Sequence, residues 1–273
     1  MKLCVIGGAG ARSAFLTKSL VKSTRDIRVD HIVLLDNDQQ KLKTYGEISR
    51  ELSRRLDPDL TFEVTSDARA ALTGVDYIIT TIRAGGDAGR LFDEQTCLAH
   101  GVLGQETTGA GGFAMAIRSV PTLVYYCTLA REVANPGHLI FNFTNPSGII
   151  TQALRSKGFD NVYGICDAPS GFIKQLEEIL EIPYGTLDIE CYGLNHLSWF
   201  RNAKVNGRDV QRELLDNPRT YEHSEMRLFT REMARISGDC MLNEYLYFYY
   251  RRVKSLSMIQ KADHPRGEMI YLI

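Results

Sequence analysis

A doubly wound α/β fold built on a parallel sheet is what this sequence predicts, on three observations. Short apolar runs rich in strand formers alternate with helical patterns. A glycine-rich turn closes the first run, and an acid ends the second. Polar clusters recur at the ends of the runs, which is where such sheets hold ligands, beyond the carboxyl ends of their strands.

Residues 2–7 form the first run and stop at Gly7-Gly8. Residues 12–23 suit a helix with Ser13 near its start, and residues 31–36 form the second run, ending in Asp36. Residues 38–56 are charged and amphipathic, as a surface helix is. Residues 61–65, 75–81, 139–143 and 162–166 read as further strands, with helical patterns over 112–134 and 147–157. Strands and helices in this order require a parallel sheet with right-handed crossovers. After about residue 183 the texture changes. Residues 187–192 and 199–205 suggest strands, the latter followed by the turn pair Asn206-Gly207, while 218–236 and 240–252 suggest helices. The chain accordingly divides into a nucleotide-type domain, 1–166, and an α+β domain, 167–273.

The 273 residues, 44% hydrophobic, suffice for a real core. With 32 basic against 33 acidic residues, nothing in the charge argues for a nucleic acid or an anionic membrane as partner. The apolar run after Met1-Lys2 is too short for a signal sequence, and no stretch approaches the ~20 apolar residues of a membrane span. Cys4, Cys97, Cys127, Cys166, Cys191 and Cys240 lack CxxC pairing and read as reduced thiols in a cytoplasmic protein.

Gly7 and Gly8-Ala9-Gly10-Ala11-Arg12-Ser13 lie between a strand and a helix. Glycines there permit a tight turn and close approach of backbone to a pyrophosphate, whose charge meets the free N–H groups at the helix start. Ser13 stands where a third glycine is usual, so context carries the motif, and Asp36 supplies it. An acid at that strand end accepts from adenosine ribose hydroxyls and repels a 2′-phosphate, which favours NAD over NADP. The fold is then of the Rossmann type. The plainer alternative is a glycine-rich turn with a capping Asp.

Further blocks extend the reading. Thr80-Thr81-Ile82-Arg83-Ala84-Gly85-Gly86 is followed by Arg90, by Gly104-Gln105-Glu106-Thr107 and by Gly109-Ala110-Gly111-Gly112. Then come Asn142-Phe143-Thr144-Asn145-Pro146-Ser147-Gly148, Gly164-Ile165-Cys166-Asp167-Ala168-Pro169, Gly193-Leu194-Asn195-His196-Leu197-Ser198-Trp199 and Glu244-Tyr245-Leu246-Tyr247. In order and spacing these resemble glycoside hydrolase family 4, the NAD- and metal-dependent glycosidases. Family members are longer. This chain stops at Ile273 inside what resembles a family helix, so the substrate domain is expected to be incomplete.

An ordinary glycosidase sets two carboxylates across the scissile bond, and no such pair announces itself here. The resemblance implies another route to hydrolysis of 6-phospho-glucosides: oxidation of the sugar at C3 by NAD, removal of the C2 proton, elimination at C1, water addition and return of the hydride. It implies Cys166 and His196 as ligands of Mn²⁺ or another divalent metal, Tyr245 as the C2 base and Asp167 as the acid for the leaving group. Arg90, Asn145 and Arg266 would bind the phospho-sugar, with Gln105 and Glu106 orienting the metal site. Asp167 leans towards α-glycosides and Leu197-Ser198-Trp199 towards β-glycosides; the 6-phospho-β-glucosidase reading is taken. The resemblance further implies a phosphorylated disaccharide or glucoside delivered by sugar import, a cytoplasmic setting and a homo-oligomer.

Each residue also has a bland role. A Cys at a strand end is commonly a small buried hydrophobe. Tyr245, Tyr247, Tyr249 and Tyr250 could be a core stripe, Asp167 a helix cap near Pro169, and the arginines merely solvated. Two other functions stay open. One is a lactate/malate-type NAD-dependent hydroxy-acid dehydrogenase, although no His-Gly-Asp-type block is present. The other is an inactive, truncated NAD-binding remnant.

Overall fold

The computed structural model describes residues 1–262 and 268–269. Two compact units result, Met1–Arg90 with Gly112–Ile165 and Leu91–Gly111 with Cys166–Ile273.

The first unit is a six-stranded parallel sheet of β1 (Lys2–Ile6), β2 (His31–Leu35), β3 (Thr61–Thr65), β4 (Tyr77–Thr80), β5 (Leu139–Asn142) and β6 (Val162–Gly164). Their order across the sheet is β3-β2-β1-β4-β5-β6, the doubly wound order with its switch point between β1 and β4. The apolar runs are continuous because both faces of the sheet are covered. Along β1, Cys4 and Ile6 enter one core with Leu123, Cys127 and Ala130, whereas Leu3 and Val5 enter another with Val21. Each fully buried aliphatic side chain of this kind contributes roughly 1.5–3 kcal/mol. Burial pushes the Cys4 and Cys127 thiols up to about 12, which leaves them inert, and all six cysteines are unpaired.

The helix expected over 112–134 runs Gly109–Val133, and by length and composition it is apolar enough to cross a bilayer, which the sequence reading did not register. Its inner face, Leu123, Cys127 and Ala130, is instead packed in the core of the first unit. The helix expected over 38–56 is interrupted by a π-helical turn, Leu42–Gly46.

The second unit centres on an antiparallel hairpin of β7 (Leu187–Leu194) and β8 (Leu197–Val205), extended by β9 (Arg208–Asp209) and β10 (Met241–Leu242). Helix Ala168–Leu180 packs against it, with Phe172 set edge-on to Phe200 at 4.9 Å. The hairpin carries a bulge: Asp188 pairs with Lys204 but Glu190 with Arg201, so Asn202 and Ala203 together oppose Ile189. Asn202 absorbs the extra residue at φ 57, which resets the inward phase so that both Phe200 and Ala203 are buried.

The long helices expected over 218–236 and 240–252 are broken into shorter pieces. Pro218–His223, a 3₁₀ turn at Glu225–Leu228 and Arg231–Ile236 replace the first. The side chains of Ser224 and Thr230 accept from the amides of Met226 and Met233, and each starts a new helix instead of continuing the old one. In the second stretch Met241 and Leu242 pair with β8, and helices Leu246–Tyr250 and Arg252–Gln260 follow.

Phe200 is fully buried on β8, where it faces Phe172 of the helix. Phe200→Ala is expected to lower unfolding stability by about 3–5 kcal/mol in urea titrations followed by circular dichroism.

Candidate functional site

In the first unit the turn after β1 is fixed by its own backbone. The amides of Gly7 and Gly8 both donate to the carbonyl of Leu35, at 2.8 and 3.0 Å. Gly7 lies at φ 84, and a Cβ there would stand 2.9 Å from the amide nitrogen of Ile82, so only glycine is accommodated. Asp36 closes the other side: its Oδ2 accepts from the Ala9 amide and its Oδ1 from the Asp38 amide, both at 3.1 Å. Ser13, in place of a third glycine, donates its hydroxyl to the Gly10 carbonyl. Helix Ser13–Ile27 then begins at Arg12 with no side chain capping it, and the space a Cβ on Gly10 would occupy is open for 4 Å. A bare helix start beside an open glycine, with a carboxylate held across the turn, fits a dinucleotide pyrophosphate and its ribose.

Arg90 and Asn145 also belong to the first unit. Arg90 is buried, and Asn145 is half-buried at a cis peptide bond to Pro146. The Asn145 turn is held from beneath by Asn142. The Asn142 Oδ1 accepts from the Thr80 hydroxyl at 2.8 Å, and its Nδ2 donates to the carbonyls of Thr144 and Ser147.

The second unit gathers Cys166, His196 and Tyr245. Leu194 pairs with Leu197, which leaves Asn195 and His196 as the two-residue tip of the hairpin. His196 adopts φ 59, a left-handed conformation that a non-glycine residue holds only where its surroundings impose it. Gly193 makes the tip possible, because a Cβ there would lie 2.4 Å from the Leu197 carbonyl oxygen. His196 is thereby presented with its Nε2 3.4 Å from the Cys166 Sγ.

The imidazole is oriented from behind. Its Nδ1 lies 3.1 Å from the hydroxyl of Thr107, and that hydroxyl donates to the Gln105 Oε1. Thr107 has a single hydroxyl proton, so towards His196 it can only accept, and hydrogen-bond accounting assigns the imidazole proton to Nδ1. In the neutral ring Nε2 is then the lone-pair nitrogen, on the Cys166 side. The Gln105 amide nitrogen donates in turn to the Tyr245 hydroxyl at 3.3 Å, and the Tyr245 ring lies 4.1 Å from that of His196, centroid to centroid.

The four tyrosines therefore divide. Tyr245 is buried against His196, Tyr247 is buried with Phe229 in the core, and Tyr249 and Tyr250 are exposed. Asp167, exposed at the start of helix Ala168–Leu180, makes no capping bond with its side chain; its Oδ1 is 4.0 Å from the Cys166 Sγ. Among the described residues no three His, Cys, Asp or Glu side chains group around one point. The donor set is a thiol and an imidazole, which suits a borderline divalent ion that keeps its other positions for substrate and water. Arg266 lies outside the described residues.

Sequence reasoning missed three residues. Thr107 orients His196, and Asn243 and Glu225 lie behind Tyr245. A cavity of about 160 Å³ is lined by Pro169, Cys191, Asn195, His196, Ser198 and Asn243. Asn243 donates to the Glu225 Oε2 at 2.9 Å, and burial pushes the Glu225 carboxyl up to about 7.

A dinucleotide-binding fold with a thiol–imidazole–phenol cluster is the class these features define. The model of family 4 glycosyl hydrolases matches residues 2–182, and that of the family's C-terminal domain matches residues 191–271. The chain belongs to family 4 of the glycosyl hydrolases. It is 35% identical over 219 residues to the 6-phospho-β-glucosidase BglT of Thermotoga maritima, an overlap of 80% of this chain and 51% of that protein. A 6-phospho-α-glucosidase from gut microorganisms, solved with NAD and Mn²⁺, superposes at TM-score 0.89 with 26% identity over 99% of this chain and 64% of its own. A malate dehydrogenase of Salinibacter ruber, at TM-score 0.58 and 19% identity, shares the fold alone. The chain spans about half the length of the curated relative.

Because folding raises the Glu225 carboxyl from 4.5 to about 7, the native state holds a proton that the unfolded state releases. Stability from this group is complete below about pH 4.5 and falls as pH rises to about 7, by roughly 3 kcal/mol at most. Glu225→Gln is expected to remove that slope, so thermal unfolding of wild type and variant between pH 4.5 and 8 should diverge as pH rises. Parallel curves would show that Glu225 titrates normally.

Proposed function

We propose that the protein hydrolyses 6-phospho-glucosides, β-linked ones in preference to α-linked, with NAD and a divalent metal, Mn²⁺ first, as cofactors. The observation that carries this reading is the run of contacts from Cys166 through His196, Thr107 and Gln105 to Tyr245. It sets two metal-type donors and a phenol side by side in a chain whose other unit carries a dinucleotide turn. Membership of a family with a 6-phospho-β-glucosidase at 35% identity and NAD- and Mn²⁺-bound structural neighbours supports it.

Bound NAD would take and return a hydride at the sugar C3, and a bound cation would polarise the oxygens beside it. The residues of the chain do the rest. The Gly8-Ala9-Gly10 turn and the helix start at Ser13 hold the pyrophosphate, with Gly7 and Arg12 framing them, and Asp36 accepts from the ribose. Cys166 and His196 hold the cation. Tyr245, its hydroxyl already accepting from Gln105, removes the proton from C2. Asp167, exposed and not committed to a cap, protonates the departing oxygen. Arg90 and Asn145, with Arg266, bind the phosphate and hydroxyls of the sugar, the guanidinium fork matching phosphate oxygens. A cytoplasmic homo-oligomer fed by sugar import is the setting that goes with this substrate.

The direct test is release of nitrophenol from the 6-phosphates of p-nitrophenyl β- and α-glucoside, with Mn²⁺, NAD and a thiol reductant each omitted in turn. Turnover that requires NAD and metal, without net NADH, is expected. Turnover indifferent to both would overturn the mechanism. NADH accumulation from a hydroxy acid would favour a dehydrogenase.

Two substitutions separate the roles. Tyr245→Phe is expected to lower turnover by about 100-fold or more while leaving Mn²⁺ affinity unchanged. Thr107→Val removes the acceptor for the His196 Nδ1 proton and is expected to weaken Mn²⁺ binding about 10- to 100-fold in titration calorimetry. Unaltered affinity would remove Thr107 from the metal site's support.

A further inference from the structure

Glu225 is a buried carboxyl that the proposed chemistry does not use. It opens the short 3₁₀ turn Glu225–Leu228, where its own amide donates to the Gln175 Oε1. Its Oε2 accepts two hydrogen bonds, one from the Asn243 Nδ2 at 2.9 Å and one from the Glu244 amide at 3.0 Å. One oxygen taking two N–H donors is work for which a carboxylate is well suited.

Asn243 is itself almost wholly enclosed, with 2% of its surface exposed, and each of its polar groups is committed. Its amide donates to the Ser198 carbonyl on β8, and its carbonyl accepts from the Leu246 amide. Its Oδ1 accepts from the Tyr245 amide at 3.2 Å. The side chain can make this last bond only if its amide group is turned the right way, and the bond from Nδ2 to Glu225 sets that orientation. Glu244, meanwhile, is tied by its side chain to Arg227.

We infer that Glu225 is a positioning residue for Tyr245: through Asn243 and the Glu244 amide it fixes the turn from which the phenol reaches His196 and Gln105. The catalytic meaning of the inference rests on the proposed role of Tyr245 as base; the positioning does not. The groups that bear on the Glu225 carboxyl are Glu244 and Arg227 by charge, Asn243 and the Glu244 amide by hydrogen bond, and Cys191 on β7, whose thiol is raised chiefly by its own burial and to a lesser degree by the Glu225 charge. The dominant influence is burial, which pushes the carboxyl up to about 7. Protonation then falls within an accessible pH range and supplies a signal.

The test uses the whole chain without ligand, labelled with ¹⁵N and with ¹³C at tyrosine rings, as wild type, Glu225→Gln and Glu225→Leu. In the wild type, the Glu244 and Tyr245 amides and the Tyr245 ring are expected to shift together with one midpoint near 7. In Glu225→Gln, which keeps an oxygen acceptor, the titration should vanish and amide exchange at Glu244 and Tyr245 should stay within about threefold of wild type. Glu225→Leu should raise exchange at these two amides at least about tenfold while amides of the Phe172–Phe200 core stay within about twofold. If the leucine variant does not fold, the wild-type and glutamine titrations decide alone. A titration felt by Glu244 but not by the Tyr245 amide or ring would overturn the inference, as would unchanged exchange in Glu225→Leu. Failure of the base assignment shows elsewhere, as full turnover by Tyr245→Phe.

Discussion

The hydroxyl of Thr107 has one proton to give, and it gives it to Gln105. The other contacts of the thiol–imidazole–phenol cluster depend on that choice. Since Thr107 must accept from His196, the imidazole carries its proton on Nδ1 and turns its lone pair towards Cys166. Because Gln105 accepts through its oxygen from Thr107, its nitrogen is the atom that meets the Tyr245 hydroxyl. Two neutral side chains, Thr107 and Gln105, thus set the state of an imidazole and the surroundings of a phenol. Replacing any link with a group of opposite donor character would reverse the sense of the rest.

Much of the first unit was legible from local rules. Residues in β1 and β2 are apolar without alternation because both faces of the sheet are covered, and Asp36 sits at a strand end beside a glycine turn, where a nucleotide fold puts its acid. The second unit was less legible, for a physical reason. Residues 218–236 have helical periodicity, but Ser224 and Thr230 capture backbone amides and restart the chain, and a hydrophobic pattern does not record which of two local hydrogen bonds wins.

The candidate site divides in the same way. Cys166, His196 and Tyr245 stand in recognisable blocks. Their supports do not, because each support is a contact across the sequence: Thr107 meets His196 from 89 positions away, and Gln105 meets Tyr245 from 140. Glu225 looks like one surface acid among 33 until the fold encloses it. The bland readings sort themselves equally by geometry. Tyr247 joins the hydrophobic cluster of the second unit, as an aromatic stripe suggests, whereas Tyr245 on the same short segment is buried against His196, and Asp167 stands at a helix start without capping it.

The bulge at Asn202 has a bearing on how this hairpin can vary over time. It cuts the ladder into two stretches with independent phase: a short one at the base, Leu187 with Val205 and Asp188 with Lys204, and a longer one running from Glu190 and Arg201 to the tip. A residue gained or lost near the base can be taken up by re-pairing two rungs. The same change beyond the bulge would turn His196 to the opposite face and separate it from Cys166. Inherited length variation should therefore collect below Asn202 and be purged above it, so that the hairpin behaves as a drifting stem carrying an invariant head.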